Sequence, residues 1–347
     1  MHPARKLASR PVRKASKALA RKSQGQAHAL ELIHAVCCLA GCPSLIDDFR
    51  NDLVEDGILA AIEAHDTGKL FDWIVPAFSY QGIADAIASE YMNRYGVLTW
   101  AAIATDLAGQ PSCPKLQSYW HFHDCGYRKI SRTCNEPEHF SACPLPLHPL
   151  RNGRLNQTAY ALFFFIRDLA DGDLVAWIDR RLAEADDPAD PDRAVSMGEA
   201  IVGPLRHVHG VSDKVLTMTL SYLFLGSQKP RWTEAGAHMI AIDTLVHNFL
   251  HRTGILERLG ANHAYGLGCS QPHGCADILR SVSANLDVRR FNRSFPKVFP
   301  RFVQYAIWRY CAQTGFDICN GNRIDDRQPC QNSYCRLYWR CERKPLI

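Results

Sequence analysis

The sequence of 347 residues lacks the features that mark membrane and secreted proteins. No apolar run reaches the roughly 18 residues that a membrane-spanning helix needs, and no signal-peptide core follows the first residues. We therefore expect an intracellular protein. Apolar residues make up 47% and charged residues 22% of the chain, which is typical of a globular protein with one large domain or two modest ones.

Acidic residues are absent from residues 1–25, which contain eight Lys and Arg. The whole chain has a net charge of only +5, so the positive charge is concentrated in this segment. Such a segment is typically a solvated arm whose commonest partner is nucleic acid, although a transit peptide has a similar composition. We predict a basic disordered arm over 1–25.

Closely spaced cysteine pairs are absent from residues 107–157, a Pro-rich segment that also lacks a helical period. The chain has fourteen cysteines, and a reducing compartment favours metal ligation over disulfides. Cys125, Cys134 and Cys143 lie nine positions apart, and zinc binding is one interpretation of them. The alternatives are a packed insertion with buried thiols and a loop over a pocket in which aromatic rings stack on a base. The candidate pocket residues are Trp120, His123 and Tyr127.

Most of the remaining chain has the periodicity of helices. Apolar residues recur at spacings of three and four over 26–66, with Gly41 and Pro43 between two predicted helices. Residues 158–185 have the same helical spacing of apolar residues, which Asp171–Asp173 interrupts. These patterns favour an all-α fold.

A helix, a Gly-containing turn and a second helix are predicted between residues 201 and 226. The turn residues are His209, Gly210, Val211 and Ser212. Lys214 follows in the first turn of the second helix, and Asp243 lies further along in an apolar run. A turn that leads into a helix presents backbone N–H groups and the helix N-terminus to a phosphate, so the pattern indicates contact with nucleic acid.

Four cysteines between residues 319 and 341 form the other strong pattern. They are Cys319, Cys330, Cys335 and Cys341, with the spacing C-x10-C-x4-C-x5-C. Four thiolates from one compact loop suit a 4Fe–4S cluster or an all-cysteine zinc site. Cys311 is an alternative to Cys319 as the first ligand.

In this order, the motifs resemble those of the helix-hairpin-helix DNA glycosylases, the endonuclease III and MutY group. The family hairpin reads roughly L-P-G-V-G-x-K-T-A and is followed by A-V-D-T-x-V, whereas this chain has L-R-H-V-H-G-V-S-D-K-V and A-I-D-T-L-V. Ser212 replaces the family's second hairpin glycine. The final C-x5-C of the family's cluster loop is kept, and the first two gaps are longer. The resemblance covers about residues 65–100 and 195–347.

The resemblance implies two helical domains with a DNA-binding cleft between them and a 4Fe–4S cluster loop that follows the last helix. The glycosylase domain would span 67–235, with 107–157 as an insertion, and the cluster domain would combine 26–66 with 236–347. The implied protein is a monomer that binds double-stranded DNA, in the bacterial cytoplasm at the nucleoid or in a eukaryotic nucleus.

The resemblance also implies roles for single residues. Lys214 matches the family's nucleophilic lysine, Asp243 its essential aspartate, and Gln81 the glutamine that enters the duplex beside the extruded nucleotide. The expected activity is that of a DNA glycosylase, with AP-lyase activity if Lys214 attacks covalently. Two other hypotheses stay open: a non-catalytic iron–sulfur protein that recognises damaged or modified DNA, and a redox sensor that uses the cysteines of 107–157.

Overall fold

The computed structural model describes residues 10–80, 85–109, 111, 113–123, 125, 145, 148 and 154–346. These residues are mostly helical and contain no β-strand, which is compatible with the predicted all-α class. The α-helices are α1 (Arg10–Ala40), α2 (Leu45–Glu55), α3 (Ile58–Glu63), α4 (Thr67–Ala77), α5 (Asp85–Tyr95), α6 (Trp100–Ala108), α7 (Tyr119–His123), α8 (Arg154–Leu169), α9 (Leu174–Glu184), α10 (Arg193–Leu205), α11 (Asp213–Gly226), α12 (Pro230–His238), α13 (Thr244–Arg252), α14 (Ile255–Arg258), α15 (Cys275–Ala284) and α16 (Pro300–Cys311). Short 3₁₀-helices lie at Pro114–Gln117, Leu267–Ser270 and Val288–Arg290.

Helix α1 begins at Arg10, so the described part of residues 1–25 is helical where a disordered arm was predicted. The physical reason is composition: the segment is rich in Ala, Lys and Arg, which are strong helix formers. Pro11 is tolerated because the N–H groups of a first helical turn have no intrahelical partner. The basic segment therefore continues directly into the helix that packs in the core.

Polar N-cap residues mark where five of the helices begin. Asp66, Thr99, Asp173, Ser212 and Asp243 each accept a hydrogen bond from the backbone N–H three residues later, at 2.9–3.5 Å. Each such cap stabilises its helix by about 1 kcal/mol because it satisfies an N–H that the helix itself leaves unpaired. Two of these caps, Ser212 and Asp243, are among the candidate site residues predicted from the sequence.

The chain divides into two compact units. The terminal unit consists of Met1–Ser44 and Ile242–Ile347, and the central unit is Leu45–Ala241. The division therefore falls between Ser44 and Leu45, whereas the predicted cluster domain had included residues up to 66. Helix α2 belongs to the central unit because it packs against α11, where the rings of Phe49 and Tyr222 are 4.2 Å apart.

The core of the central unit is built around α8. Phe163–Ile166, an uninterrupted apolar run in the sequence, is buried on all sides. The ring of Phe163 packs against those of Phe71 on α4 and Trp100 on α6, with centroids 6.4 and 4.3 Å apart. Asp171 and Gly172 both have positive φ and separate α8 from α9, which confirms the predicted break.

The core of the terminal unit is built around α16, which packs against α1, α13 and α15. Its buried face includes Phe302, Val303 and Ile307. By length and composition, no single described helix passes as a membrane span; Ser23–Ala40 and Leu45–Glu55 pass only when they are taken together.

Replacing Gly226 with alanine is expected to destabilise the protein by about 1–3 kcal/mol, the usual effect of overpacking. A Cβ at this last residue of α11 would lie 2.6 Å from Leu53 Cδ1 and 3.0 Å from the Phe49 carbonyl oxygen. Gly203→Ala in α10 is the matched control, because its Cβ would meet only the Glu199 carboxylate, at 3.3 Å, and no backbone atom. Alanine is the better helix former by about 1 kcal/mol. Urea unfolding midpoints should therefore move in opposite directions, and a common shift would contradict the prediction.

Candidate functional site

The turn between α10 and α11 has the local geometry that its sequence predicts. Gly210 has φ 84°, a left-handed conformation that favours glycine because a side chain would be strained there. Val208 is buried and anchors the turn, and Ser212 caps α11. The turn thus ends at the N-terminus of a helix of 14 residues, where backbone N–H groups lack intrahelical partners.

Lys214 lies in the first turn of α11 and is exposed. Its neighbour Asp213 forms an ion pair with Arg206, whose Nε lies 3.0 Å from the carboxylate. Arg206 also pairs with Glu199 on α10. The carboxylate beside the lysine is therefore already paired with a cation of the preceding helix, and this charge pair closes the turn.

Asp243 lies in the terminal unit as the N-cap of α13 and is partly buried. One carboxylate oxygen accepts the Val246 N–H at 2.9 Å. Its electrostatic neighbours include Tyr265 and the buried Arg301. Burial lowers the pKa of Arg301 to about 10, an effect that Tyr305 and Asp243 oppose. Asp243 thus belongs to a local group of charged and phenolic side chains.

The four cysteines after α16 surround a common cavity. Cys319, Cys330, Cys335 and Cys341 all line it, whereas Cys311 is not among the lining residues. The thiols are not disulfide-bonded. The Cys311 thiol lies behind the cavity and donates a hydrogen bond to Cys319. This hydrogen bond and the charge of Arg252 hold the pKa of Cys319 below its usual range.

Two arginines also line this cavity, and neither is fully paired. Arg252 is buried, and only its Nη2 is placed on a carboxylate, that of Asp326, at 2.5 Å. Its Nε and Nη1 are buried without a hydrogen-bond partner, as is Nε of Arg343. Unpaired buried donors are costly. A group with negative charge in the cavity would satisfy them, so the lining suits an anionic occupant.

The surface of the same loop carries exposed aromatic rings and cations. Tyr334 and Trp339 are 96% and 88% exposed, which is unusual for side chains of this size. Arg336 and Arg340 lie beside them and are also exposed. Exposed rings interspersed with arginines are typical of surfaces that stack on bases and bind phosphates.

A second group of potential metal ligands lies in the terminal unit. His247, His263, Cys269 and Cys275 place one nitrogen or sulfur atom each within 4.8 Å of all the others, so this group could bind a metal ion. Within the described residues, the four thiols after α16 do not form a group as compact as this. Burial and the nearby His263 and His251 lower the pKa of His247 to about 4, so this imidazole is neutral at physiological pH.

Sequence reasoning missed this histidine–cysteine group. None of its four residues was among the residues predicted from the sequence. Residues 247–275 contain four histidines and two cysteines, and this crowding was the signal in the sequence. Cys269 and Cys275 are six positions apart, which is longer than the cysteine spacing of a zinc knuckle, so the pattern did not stand out.

The predicted residues of 107–157 are only partly described. Trp120 and His123 lie on α7 and are exposed, and the ring of His123 is 5.6 Å from that of His207 in the α10–α11 turn. Cys125 is half-buried, and its sulfur accepts a hydrogen bond from Gln157 at 3.2 Å. The predicted residues outside the described part of the chain are Gln81, Tyr127, Cys134 and Cys143. A comparison with family models, curated proteins and solved structures finds no match to the chain.

Proposed function

We propose that this protein is a DNA glycosylase that extrudes a damaged or modified base from the duplex and cleaves its N-glycosidic bond. The observation that carries the proposal is the position of Lys214. It is an exposed amine in the first turn of a capped helix that follows a left-handed glycine turn. The α10–α11 turn would grip a backbone phosphate through its N–H groups, with Ser212 in the place of the family glycine.

The chemistry follows from the two residue types. A base inside a duplex is inaccessible, so the nucleotide must first leave the stack at a cost of a few kcal/mol. The Lys214 amine would then form a bond to C1′ of the sugar, while the bond from C1′ to the base breaks and the base leaves with the electron pair. Asp243 would stabilise the positive charge that develops on the sugar and accept a proton from the lysine. Loss of the sugar oxygen from C1′ yields a Schiff base, from which strand cleavage at the abasic site follows. Gln81 stays the predicted residue that fills the gap in the duplex.

The C-terminal loop fits a 4Fe–4S cluster held by Cys319, Cys330, Cys335 and Cys341. The fit rests on four thiols around one cavity and on the unpaired donors of Arg252, which suit the negative charge of a thiolate-bound cluster. When bound, the cluster would supply structural order to the loop. The loop would then present Tyr334, Trp339 and its arginines to DNA.

A non-catalytic protein that recognises damaged or modified DNA is the second candidate. The exposure of Lys214 favours it, because a phosphate contact needs only a positive charge, whereas a nucleophilic amine must lose its proton. The two functions share the same surfaces and differ in whether the base is released.

Borohydride trapping tests the proposal. The full-length protein is incubated with duplexes that carry abasic sites, oxidised bases or modified cytosines, and covalent complexes are counted after reduction. Lys214→Gln should abolish the complex. Lys69→Gln is the matched control, since Lys69 is also an exposed lysine in the first turn of a capped helix in the central unit.

Each outcome selects one function. A complex with wild type and Lys69→Gln, but not with Lys214→Gln, supports a bifunctional glycosylase. Base release without trapping, if it requires Asp243, indicates a glycosylase that uses water. Neither trapping nor base release on any duplex, with DNA binding retained, overturns the enzymatic proposal and supports the recognition protein.

A further inference from the structure

Two imidazoles and two thiols converge on one point beside α13. Nδ1 of His247 lies 3.3 Å from Sγ of Cys275 and 3.4 Å from Sγ of Cys269. Nε2 of His263 lies 3.4 Å from Sγ of Cys275. We propose that these four side chains bind one zinc ion in a closed, structural site, separate from the four-cysteine cavity.

The spacing of the ligand atoms agrees with tetrahedral coordination. With Zn–S bonds of about 2.3 Å and Zn–N bonds of about 2.0–2.1 Å, neighbouring ligand atoms in a tetrahedron are about 3.3–3.8 Å apart. The three distances, 3.3–3.4 Å, each join a nitrogen to a sulfur. They are about 0.2 Å shorter than the roughly 3.5–3.6 Å expected for such a pair around zinc. Hydrogen bonding alone explains the arrangement poorly, because the single Nδ1 of His247 would have to serve two thiols at once.

A second contact orients one of the imidazoles as a ligand. Nδ1 of His263 lies 2.6 Å from the carbonyl oxygen of Ala261 and donates its hydrogen to it. This bond leaves the lone pair of Nε2 directed at the thiols. Metal-binding histidines nearly always donate their other ring N–H in this way, because the bond fixes the ring and raises the basicity of the ligand.

The backbone around the histidine–cysteine group leaves no room for a Cβ atom at two glycine positions. A Cβ at Gly274 would lie 2.2 Å from the carbonyl oxygen of Gly268, and a Cβ at Gly268 would lie 2.9 Å from the ring of His263. Cys269 lies in the 3₁₀-helix between these glycines, and Cys275 is the first residue of α15. The loop is thus shaped to bring both cysteines and His263 against α13.

The chemistry of the group identifies zinc and a structural role. His247, Cys269 and Cys275 are buried, at 5%, 2% and 0% exposure, so water has little access. Two thiolates would balance the two positive charges of the ion, and two neutral imidazoles complete four protein ligands. A closed set of four is the signature of a structural zinc site, since catalytic zinc keeps one position for water.

Such a site would hold residues 261–275 on α13. His247 lies one turn after Asp243 on this helix, and Tyr265, on the loop between two ligands, has its ring 5.8 Å from that of His247. The ion would therefore fix both Tyr265 and the start of α13. This role does not depend on the reaction proposed for Lys214 and Asp243.

Metal analysis of full-length protein, purified under reducing conditions, tests the proposal. Wild type should contain about one zinc per chain, and X-ray absorption should report two nitrogen and two sulfur neighbours at the distances expected for zinc. His263→Ala should weaken zinc binding at least about 100-fold and leave the iron content unchanged. His273→Ala, in the same loop but outside the ligand set, is the matched control and should retain zinc.

A second measurement covers the case in which His263→Ala fails to fold. In wild type, Cys269 and Cys275 should resist alkylation until a chelator is added, while the exposed Cys38 reacts in both conditions. The proposal is overturned if His263→Ala contains as much zinc as wild type, or if the zinc has four sulfur neighbours. A disulfide between Cys269 and Cys275 in protein purified under reducing conditions would overturn it as well.

Discussion

Asp243→Asn is expected to lower the rate of the proposed base release by about 10²–10⁴-fold, while the protein stays folded. Asparagine is as good an N-cap as aspartate, so its side-chain oxygen can still accept the Val246 N–H. The substitution removes the negative charge, which would have stabilised the charged sugar and which also favours the charged form of the buried Arg301. Loss of the favourable interaction with the helix dipole costs about 0.3–1 kcal/mol, too little to unfold a typical domain.

Single-turnover base release and thermal unfolding should be measured together on this variant. Asp66→Asn is the control, because Asp66 caps α4 in the same way and has no proposed role in the reaction. It should retain full activity. Asp243→Ala should also lose the cap and be about 1 kcal/mol less stable than Asp243→Asn. If Asp243→Asn releases base at the wild-type rate, Asp243 has no part in the chemistry.

Cys319→Ser is expected to eliminate the proposed iron–sulfur cluster, whereas Cys311→Ala should retain it. Cys319 lines the cavity with the other three thiols, whereas Cys311 only donates a hydrogen bond to Cys319. Anaerobically purified wild type and Cys311→Ala should each contain about four iron atoms per chain, and Cys319→Ser should contain few or none.

The same comparison decides between the two possible first ligands. The reverse result, with iron lost only in Cys311→Ala, would mean that Cys311 is the ligand. Iron present in neither variant nor wild type, with zinc in its place, would assign the four thiols to an all-cysteine zinc site. The histidine–cysteine group provides an internal reference, since its zinc should be the same in all three proteins.

Local features were the most predictable from the sequence. The break at Asp171–Asp173, the burial of Phe163–Ile166 and the helix that begins after Ser212 all follow from residue type within a few positions, and the structure has all three. Gly315 shows the limit of such reasoning. A glycine shortly after a helical stretch commonly occupies the position just past the helix end, yet α16 already ends at Cys311. Gly315 instead packs where a Cβ would lie 2.2 Å from the Arg309 carbonyl oxygen.

The histidine–cysteine group was beyond prediction for a different reason. Its ligands come from a helix, an irregular loop, a 3₁₀-helix and the start of another helix, and only the tertiary fold brings them within 4.8 Å of one another. The four thiols after α16 were easier to predict from the sequence, because they occupy one short stretch of chain.

Helix α13 is nine residues long, about 13 Å at 1.5 Å per residue. Asp243 caps its first turn, His247 belongs to the proposed zinc site, and Arg252 at its last turn reaches the four-thiol cavity. Because one short helix carries all three residues, loss of the proposed cluster or of the proposed zinc ion would disturb the position of the Asp243 carboxylate. If base release depends on this carboxylate as proposed, a shortage of either metal should cause the same loss of base release, and metal counts on the purified protein would tell the two shortages apart.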